Sequence, residues 1–248
     1  MIIAKKSAEL DKMRRAGKIV GDTLRMIEKY VRPGVSTLEL DTIIEDFILT
    51  SGAMPSFKNY MGYKHSACIS VDDVVVHGIP SPDNILKEGQ IVSIDVGAKI
   101  QGFHGDAART FCVGQVSEEA KQLVGVTKQS FFEGIKVCKA GRRLGDLSHA
   151  IQEYAESFGY GVVREMTGHG IGANLHEDPT VRNYGLAGTG ILLKSGYTLA
   201  VEPMITLGHY AIYIEADGWT CKTRDGSLAA HYENTFVVTD SEPEILTL

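Results

Sequence analysis

Residues 91 to 107 read Ile91-Val92-Ser93-Ile94-Asp95-Val96-Gly97-Ala98-Lys99-Ile100-Gln101-Gly102-Phe103-His104-Gly105-Asp106-Ala107. Ile91 to Val96 is rich in β-branched residues, the composition of a covered strand. Asp95 sits inside it, where an ionised carboxylate is costly to bury without a partner. If the segment folds back at Ile100-Gln101, residues whose numbers sum to 201 face each other, and Asp95 meets Asp106. Their Cβ atoms would then be about 5 Å apart. Like charges at that spacing repel unless a cation lies between them.

The pattern returns late in the chain. Glu202 lies in Leu199-Ala200-Val201-Glu202-Pro203, and Glu233 in His231-Tyr232-Glu233-Asn234-Thr235-Phe236-Val237-Val238. Two Asp-Gly turns intervene and Pro203 interrupts the ladder, so spacing leaves this register open. One acid in a strand is most often an edge residue, but four, arranged as two pairs, point to a shared ligand. Oxygen-rich sites favour hard or borderline divalent cations, and an added histidine shifts the preference towards manganese, iron or cobalt.

Three histidines stand in suggestive contexts. His169 lies in Gly168-His169-Gly170-Ile171-Gly172, a glycine-dense segment that lets backbone and imidazole approach a ligand closely. His176 follows in Leu175-His176-Glu177-Asp178-Pro179, and His77 ends the apolar run Val74-Val75-Val76. His65, His149, His209 and His231 read as surface or supporting residues. His104, two residues before Asp106, points to the same strand face.

Around these segments the chain reads as helices and short strands. A helix is expected from about Ser7 to Val31, with Leu10, Met13, Val20, Leu24, Ile27 and Val31 on one face, stopped by Arg32-Pro33-Gly34. A second opens at Ser36, where Glu39 completes a capping box, and closes at Ser51-Gly52. Two more are expected from about Ser117 to Lys139 and from about Asp146 to Phe158. A shift of 107 residues lays Gly34 on Gly141, Gly52 on Gly159, Leu24 on Phe131, Leu40 on Leu147, Ile44 on Ile151 and Phe47 on Tyr154. This predicts a duplicated helix-pair-plus-strand unit. Two such halves usually leave a cleft suited to a small ligand. A strand is expected over Cys68 to Val76, and hairpin turns at Asp217-Gly218 and Asp225-Gly226. With no Pro/Ser-rich linker, residues 1–248 read as one mixed domain of two pseudo-equivalent halves.

Composition sets the outer bounds. The chain has 248 residues, 44% hydrophobic and 23% charged, with a formal net charge of -6. Those values are ordinary for a globular protein and exclude collagen-like and disordered classes. The acidic balance and the lack of a Lys/Arg run argue against nucleic acid or an anionic membrane as main partner. No apolar stretch approaches the roughly 20 residues of a membrane span, and the start does not resemble a signal peptide. Four scattered cysteines, Cys68, Cys112, Cys138 and Cys221, form neither a zinc motif nor a disulfide framework, so a cytoplasmic location is expected.

Taken jointly, Val76-His77-Gly78-Ile79-Pro80, Ser93-Ile94-Asp95-Val96-Gly97, Gly105-Asp106, the His169 and His176 segments, Val201-Glu202-Pro203-Met204 and Glu233-Asn234-Thr235 resemble the type I methionine aminopeptidases over essentially the whole chain. The resemblance implies an α+β pita-bread fold, with two pseudo-symmetric halves around a curved antiparallel sheet and helices on the outer face. It further implies two divalent metal ions (Mn, Fe, Co or Zn). Asp106 and Glu233 would bridge them, with Asp95 on one ion and His169 with Glu202 on the other. A metal-activated water would be the nucleophile and Glu202 the proton shuttle. His176 would hydrogen-bond the scissile amide, and His77 would contact the peptide backbone near the new amine. Tyr60, Tyr63, Cys68, Leu175 and Trp219 would line the methionine pocket, with Phe57 at its edge. Phe57 and Leu175 stand where relatives often carry cysteine and phenylalanine.

The implied activity is removal of the initiator methionine from nascent chains whose second residue is small. A monomer is expected, with any ribosome contact made through the folded surface. A proline-specific relative, prolidase or aminopeptidase P, shares the ligand pattern, but the 76 residues before His77 leave no room for its usual extra domain. The 33-residue spacing from His169 to Glu202 likewise leaves no room for the insert of the long-form enzyme. No nucleophile-elbow motif surrounds any Ser or Cys.

Overall fold

A computed structural model describes residues 2–248. Helix α1 spans Ser7–Ile27 and buries Met13, Ala16, Val20, Leu24 and Ile27 at helical spacing. It ends four residues earlier than expected, because Glu28–Tyr30 tighten into a 3-10 turn ahead of Pro33. Helix α2 spans Thr37–Thr50, and the Glu39 N–H donates to Ser36 Oγ at 3.1 Å, the Ser36 half of the expected box. Helix α3 spans Glu118–Lys136, capped by Ser117, which accepts from the Ala120 N–H. Helix α4 spans Leu144–Glu156 and starts two residues early, because the Arg143 N–H donates to the Asp146 carboxylate at 3.0 Å.

The 107-residue interval is written into the backbone. Gly34 N–H donates to Leu86 O and Leu86 N–H to Val35 O, at 2.8 and 2.9 Å. At the shifted positions Gly141 N–H donates to Leu193 O and Leu193 N–H to Arg142 O, at 3.0 and 2.8 Å. Gly34 and Gly141 have φ of +91° and +86°, and Gly52 and Gly159 +78° and +79°. Only glycine adopts this left-handed conformation cheaply, so the same chain reversals recur in both halves. Leu40, Ile44, Leu147 and Ile151 are all fully buried. Separate apolar clusters hold the two helix pairs against their strands.

The strands are β1 Met54–Pro55, β2 Ala67–Val71, β3 Val74–Val76, β4 Ile91–Ile100 and β5 Phe103–Cys112 in the first half. The second half holds β6 Gly161–Val162, β7 Gly168–Gly170, β8 Glu177–Val181, β9 Thr198–Val201, β10 Met204–Thr206, β11 Ile212–Ile214, β12 Cys221–Thr223, β13 Ala229–His231, β14 Asn234–Val237 and β15 Glu244–Ile245. All pairing among the described residues is antiparallel, divided over four small sheets. The strand expected over Cys68 to Val76 is broken at Asp72-Asp73, where Asp72 has φ +52°.

Two turn expectations are corrected. The β4–β5 hairpin turns at Gln101-Gly102, not Ile100-Gln101, because both turn residues have positive φ (+51° and +83°), the geometry a two-residue hairpin favours. Asp95 therefore faces Ala108 and Asp106 faces Gly97, so the two acids are diagonal rather than direct neighbours. They still share one sheet face, at a separation long side chains can close. Asp225-Gly226 is not a hairpin turn either, since β12 and β13 lie in different sheets. The Asp225 carboxylate accepts from the backbone N–H groups of His209 and Ser227 and from Ser227 Oγ, tying this turn to the loop after β10. Asp217-Gly218 does join paired strands, β11 and β12, through the longer connection between Ile214 and Cys221.

Candidate metal centre

Asp95 stands in β4 and Asp106 in β5, both contributed by the first half. His169 is the central residue of β7, paired with Ala200 of β9. The β9–β14 register matches Val201 with Asn234, so one further step sets Glu202 beside Glu233. This is the register that spacing alone left open. The halves are fastened at the same place: Glu233 N–H donates to Ala108 O at 3.0 Å. Thr235 Oγ1 accepts from Asp106 N–H at 3.0 Å and donates to Asp106 O at 2.8 Å. The Arg109 guanidinium reaches Glu233 O and Asn234 Oδ1 while lying over the Tyr232 ring.

Ligand atoms of Asp106, His169 and Glu233 all lie within 4.8 Å of one another. His169 Nε2 is 3.9 Å from Asp106 Oδ2 and 3.9 Å from Glu202 Oε1. Its Nδ1 is 2.8 Å from Gly170 O, so the ring proton is assigned to Nδ1 and the Nε2 lone pair faces the acids. Asp95 Oδ1, Asp106 Oδ1 and Glu233 Oε1 are buried with no hydrogen-bond partner among the described residues.

The electrostatics point the same way. Burial raises the Asp95 pKa to about 7. Burial and neighbouring carboxylates drive Asp106 and Glu233 well above the usual range, and burial with Asp95 does the same for Glu202. Burial lowers His169 to about 3. A divalent cation relieves all of these penalties at once. Four carboxylates and one imidazole nitrogen form a donor set that fits such an ion.

The acids form the floor of a cavity of about 200 Å³. Its walls are Tyr60, Tyr63, Cys68, Leu175 and Trp219, with Phe57 beside them, and His77 and His176 also line it. The Tyr63 ring lies 5.0 Å from that of Trp219, and its hydroxyl donates to Ala67 O at 3.0 Å. Tyr60 Oη is 2.7 Å from His176 Nδ1, and the His176 ring centroid is 4.2 Å from that of His169. His77 has φ +59° and stands edge-on to Trp219. Every residue that the resemblance implied for the site therefore borders one cavity.

One residue was not anticipated, and the place of another was left open. Met61 sits exposed on the cavity rim. His231 is 2% exposed, and its Nε2 is 3.7 Å from Glu202 Oε2 and 4.0 Å from Glu233 Oε2. Of the two readings open to it, surface or supporting residue, the structure takes the second. The signal was its place two residues before Glu233, which in an extended chain shares a face. His104 is buried as well, with Nδ1 2.9 Å from Ser56 Oγ.

Residues 11–240 match the model of metallopeptidase family M24. The chain belongs to that family. Its likeness to M24 proteins runs the full length. It is 55% identical over 248 residues to the methionine aminopeptidase of Clostridium acetobutylicum, covering 100% of this chain and 99% of that one. It is 48% identical to methionine aminopeptidase 1 of Bacillus subtilis, again covering 100% and 99%. The crystal structure of the Thermotoga maritima methionine aminopeptidase superimposes with a TM-score of 0.98 at 46% identity, covering 100% of this chain and 99% of that one. Prolidase from Pyrococcus furiosus shares the fold, with a TM-score of 0.81 at 23% identity, but this chain covers only 65% of it. As an M24 metallopeptidase the chain works with divalent metal, and its pita-bread fold is that of these relatives. Among the described residues no helix is long and apolar enough to cross a membrane.

Proposed function

We propose that this chain is a methionyl aminopeptidase, hydrolysing the bond after an N-terminal methionine when the second residue is small. The observation that carries this reading is one cavity of about 200 Å³ in which an apolar aromatic pocket ends on the buried carboxylates. Such a cavity accepts one slender apolar side chain and sets its α-amino and carbonyl groups over the acids. Full-length similarity to methionine aminopeptidases supports it, whereas the likeness to prolidases is of fold alone.

In this reading Asp106 and Glu233, together with Asp95 from the first half and His169 and Glu202 from the second, would hold two divalent ions. Mn, Fe, Co and Zn all suit this donor set. When bound, such ions would supply Lewis acidity and would lower the pKa of water held at the site. Glu202 takes the proton of the attacking water and delivers it to the departing amine. His176 donates to the scissile carbonyl oxygen as negative charge develops there, and His77 steadies the backbone beside the new amine. Tyr60, Tyr63, Cys68, Leu175 and Trp219 hold the methionine side chain. Residues 1–248 act as one catalytic domain. The protein works as a cytoplasmic monomer on nascent chains, meeting the ribosome through its folded surface and binding neither nucleic acid nor membrane.

The test is peptide cleavage by metal-stripped protein refilled with Mn²⁺, Co²⁺, Fe²⁺ or Zn²⁺ in turn. Met-Gly-Ser is compared with a peptide carrying proline second after a non-methionine residue. Metal-dependent release of methionine from the first alone is expected. Cleavage of the proline peptide alone would move the protein to the proline-specific enzymes, and no cleavage with any metal would overturn the enzymatic reading.

A further inference from the structure

The His176 ring is held on two sides. Its Nδ1 lies 2.7 Å from Tyr60 Oη, and its plane stands at 85° to the His169 ring with 4.2 Å between centroids. Tyr60 opens a short turn, Tyr60–Gly62, and the residues on either side of Tyr60 are bent into the left-handed region: Asn59 just before the turn has φ +68° and Met61 within it φ +48°. Non-glycine residues adopt that conformation at a cost, and two of them flank this one side chain. Internal hydrogen bonds keep the turn closed, from Asn59 N–H to Tyr63 O at 2.7 Å and from Tyr60 N–H to Phe57 O at 2.9 Å. The turn therefore aims the Tyr60 hydroxyl at one nitrogen of one histidine.

The direction of that hydrogen bond decides what the imidazole can do. A neutral imidazole has one N–H donor and one acceptor nitrogen. Among the described residues, the Tyr60 hydroxyl has one hydrogen-bond partner, His176 Nδ1, so its proton has no other protein acceptor. With the phenol proton placed there, Nδ1 is the acceptor and the ring proton belongs on Nε2. The ring nitrogen turned away from Tyr60, in a residue that lines the cavity, is then a donor.

We propose that Tyr60 is a positioning residue: its hydroxyl holds His176 in the Nε2–H form, ready to donate to the scissile carbonyl oxygen. This rests on the role given to His176 above and adds what sets its tautomer. Tyr60 thus has two separable parts, a ring that walls the side-chain pocket and a hydroxyl that orients the donor.

The tautomer is read by long-range ¹H–¹⁵N spectra of ¹⁵N-histidine-labelled protein loaded with Zn²⁺, with the His176 signals assigned by their loss in His176→Gln. The parent protein is expected to show His176 protonated at Nε2. In Tyr60→Phe the signals should move to a mixture of tautomers, with kcat reduced on the order of 10-fold and KM changed less than about 2-fold. Tyr60→Leu, which also removes the ring, should raise KM in addition. His176 protonated at Nδ1 in the parent would overturn the proposal without recourse to any variant. So would Tyr60→Phe with unchanged tautomer and unchanged kcat. The spectrum is read whether or not the parent cleaves a peptide, so the proposal and the functional reading fail separately.

Discussion

The Nε2 of His231 lies 3.7 Å from Oε2 of Glu202, whose other oxygen is 3.9 Å from Nε2 of His169. One carboxylate thus stands between two imidazoles, one at the end of β13 and the other in β7. His231 is buried, and its Nε2 has no hydrogen-bond partner among the described residues. A buried polar nitrogen left unpaired is costly, and under the proposed function Glu202, which would hold a cation, is the carboxylate that His231 would orient.

Replacing His231 with leucine is therefore expected to weaken metal binding about 10-fold, the effect of losing a residue that orients a ligand. Calorimetric titration of the metal-free protein with Mn²⁺ measures it directly. Binding as tight as that of the parent would reduce His231 to a packing residue.

Asp106 lies inside the charge conflict: Asp95 and Glu202 act on it, and it acts in turn on Glu233. In chelator-treated protein, Asp106→Asn is expected to raise the melting temperature, because the amide needs neither a buried charge nor the proton uptake that burying this carboxyl demands near neutral pH. With Mn²⁺ added the order should reverse, since the parent gains binding free energy, about 4 kcal/mol at 1,000 times Kd, that the variant largely forgoes. Thermal scans with and without metal test both halves. An Asn variant stabilised by Mn²⁺ as strongly as the parent would remove Asp106 from the ligand set.

Gly105 lets β5 lie directly on α1. A Cβ there would come 2.8 Å from Gly17 N and 3.0 Å from Ala16 C, both backbone atoms that cannot step aside. Gly105→Ala should cost about 1–3 kcal/mol in denaturant unfolding and, by displacing the neighbouring Asp106, should also weaken Mn²⁺ binding. A variant with unchanged stability would show that the helix shifts freely.

Asp41 of α2 supplies a pH dependence remote from the acids. Its Oδ1 accepts from the N–H groups of Ser66 and Ala67, each at 2.9 Å, and its Oδ2 faces His65 Nδ1 at 3.1 Å. Burial raises its pKa. Its contribution to stability is therefore complete below the unfolded value of about 4 and is lost as pH rises through the folded value. Asp41→Asn keeps an Oδ1 acceptor without ionising. The parent should thus lose stability relative to the variant as pH rises from about 4 towards neutrality. Urea unfolding across that range measures the difference, and a parent that gains relative to the variant would contradict it.

The helix pairs were legible because their signals are local. Ser36 and Ser117 cap the helices they precede, Leu40 and Ile44 repeat at helical spacing, and Gly34, Gly52, Gly141 and Gly159 end or reverse the chain by their own conformational freedom. The candidate site was legible by chemistry. Asp95 and Glu202 are acids in apolar strand contexts wherever those strands happen to pair, and they too lie 107 residues apart. Register was not legible. Gln101 accepts a positive φ without being glycine, and that one residue turned Asp95 and Asp106 from opposite into diagonal neighbours.

Composition and periodicity by themselves determined that this chain builds two related helix-and-strand halves and carries acids and histidines suited to a divalent metal. Only the tertiary structure decided which of those groups meet. Glu233 N–H on Ala108 O and Thr235 Oγ1 on the Asp106 backbone join strands more than a hundred residues apart, and they bring the acids of both halves over one cavity with His231 behind them. Helix caps and turns are settled by neighbours within a few residues. A strand's partner and register depend on which distant edge satisfies its backbone groups, and that is known only once the whole chain is packed.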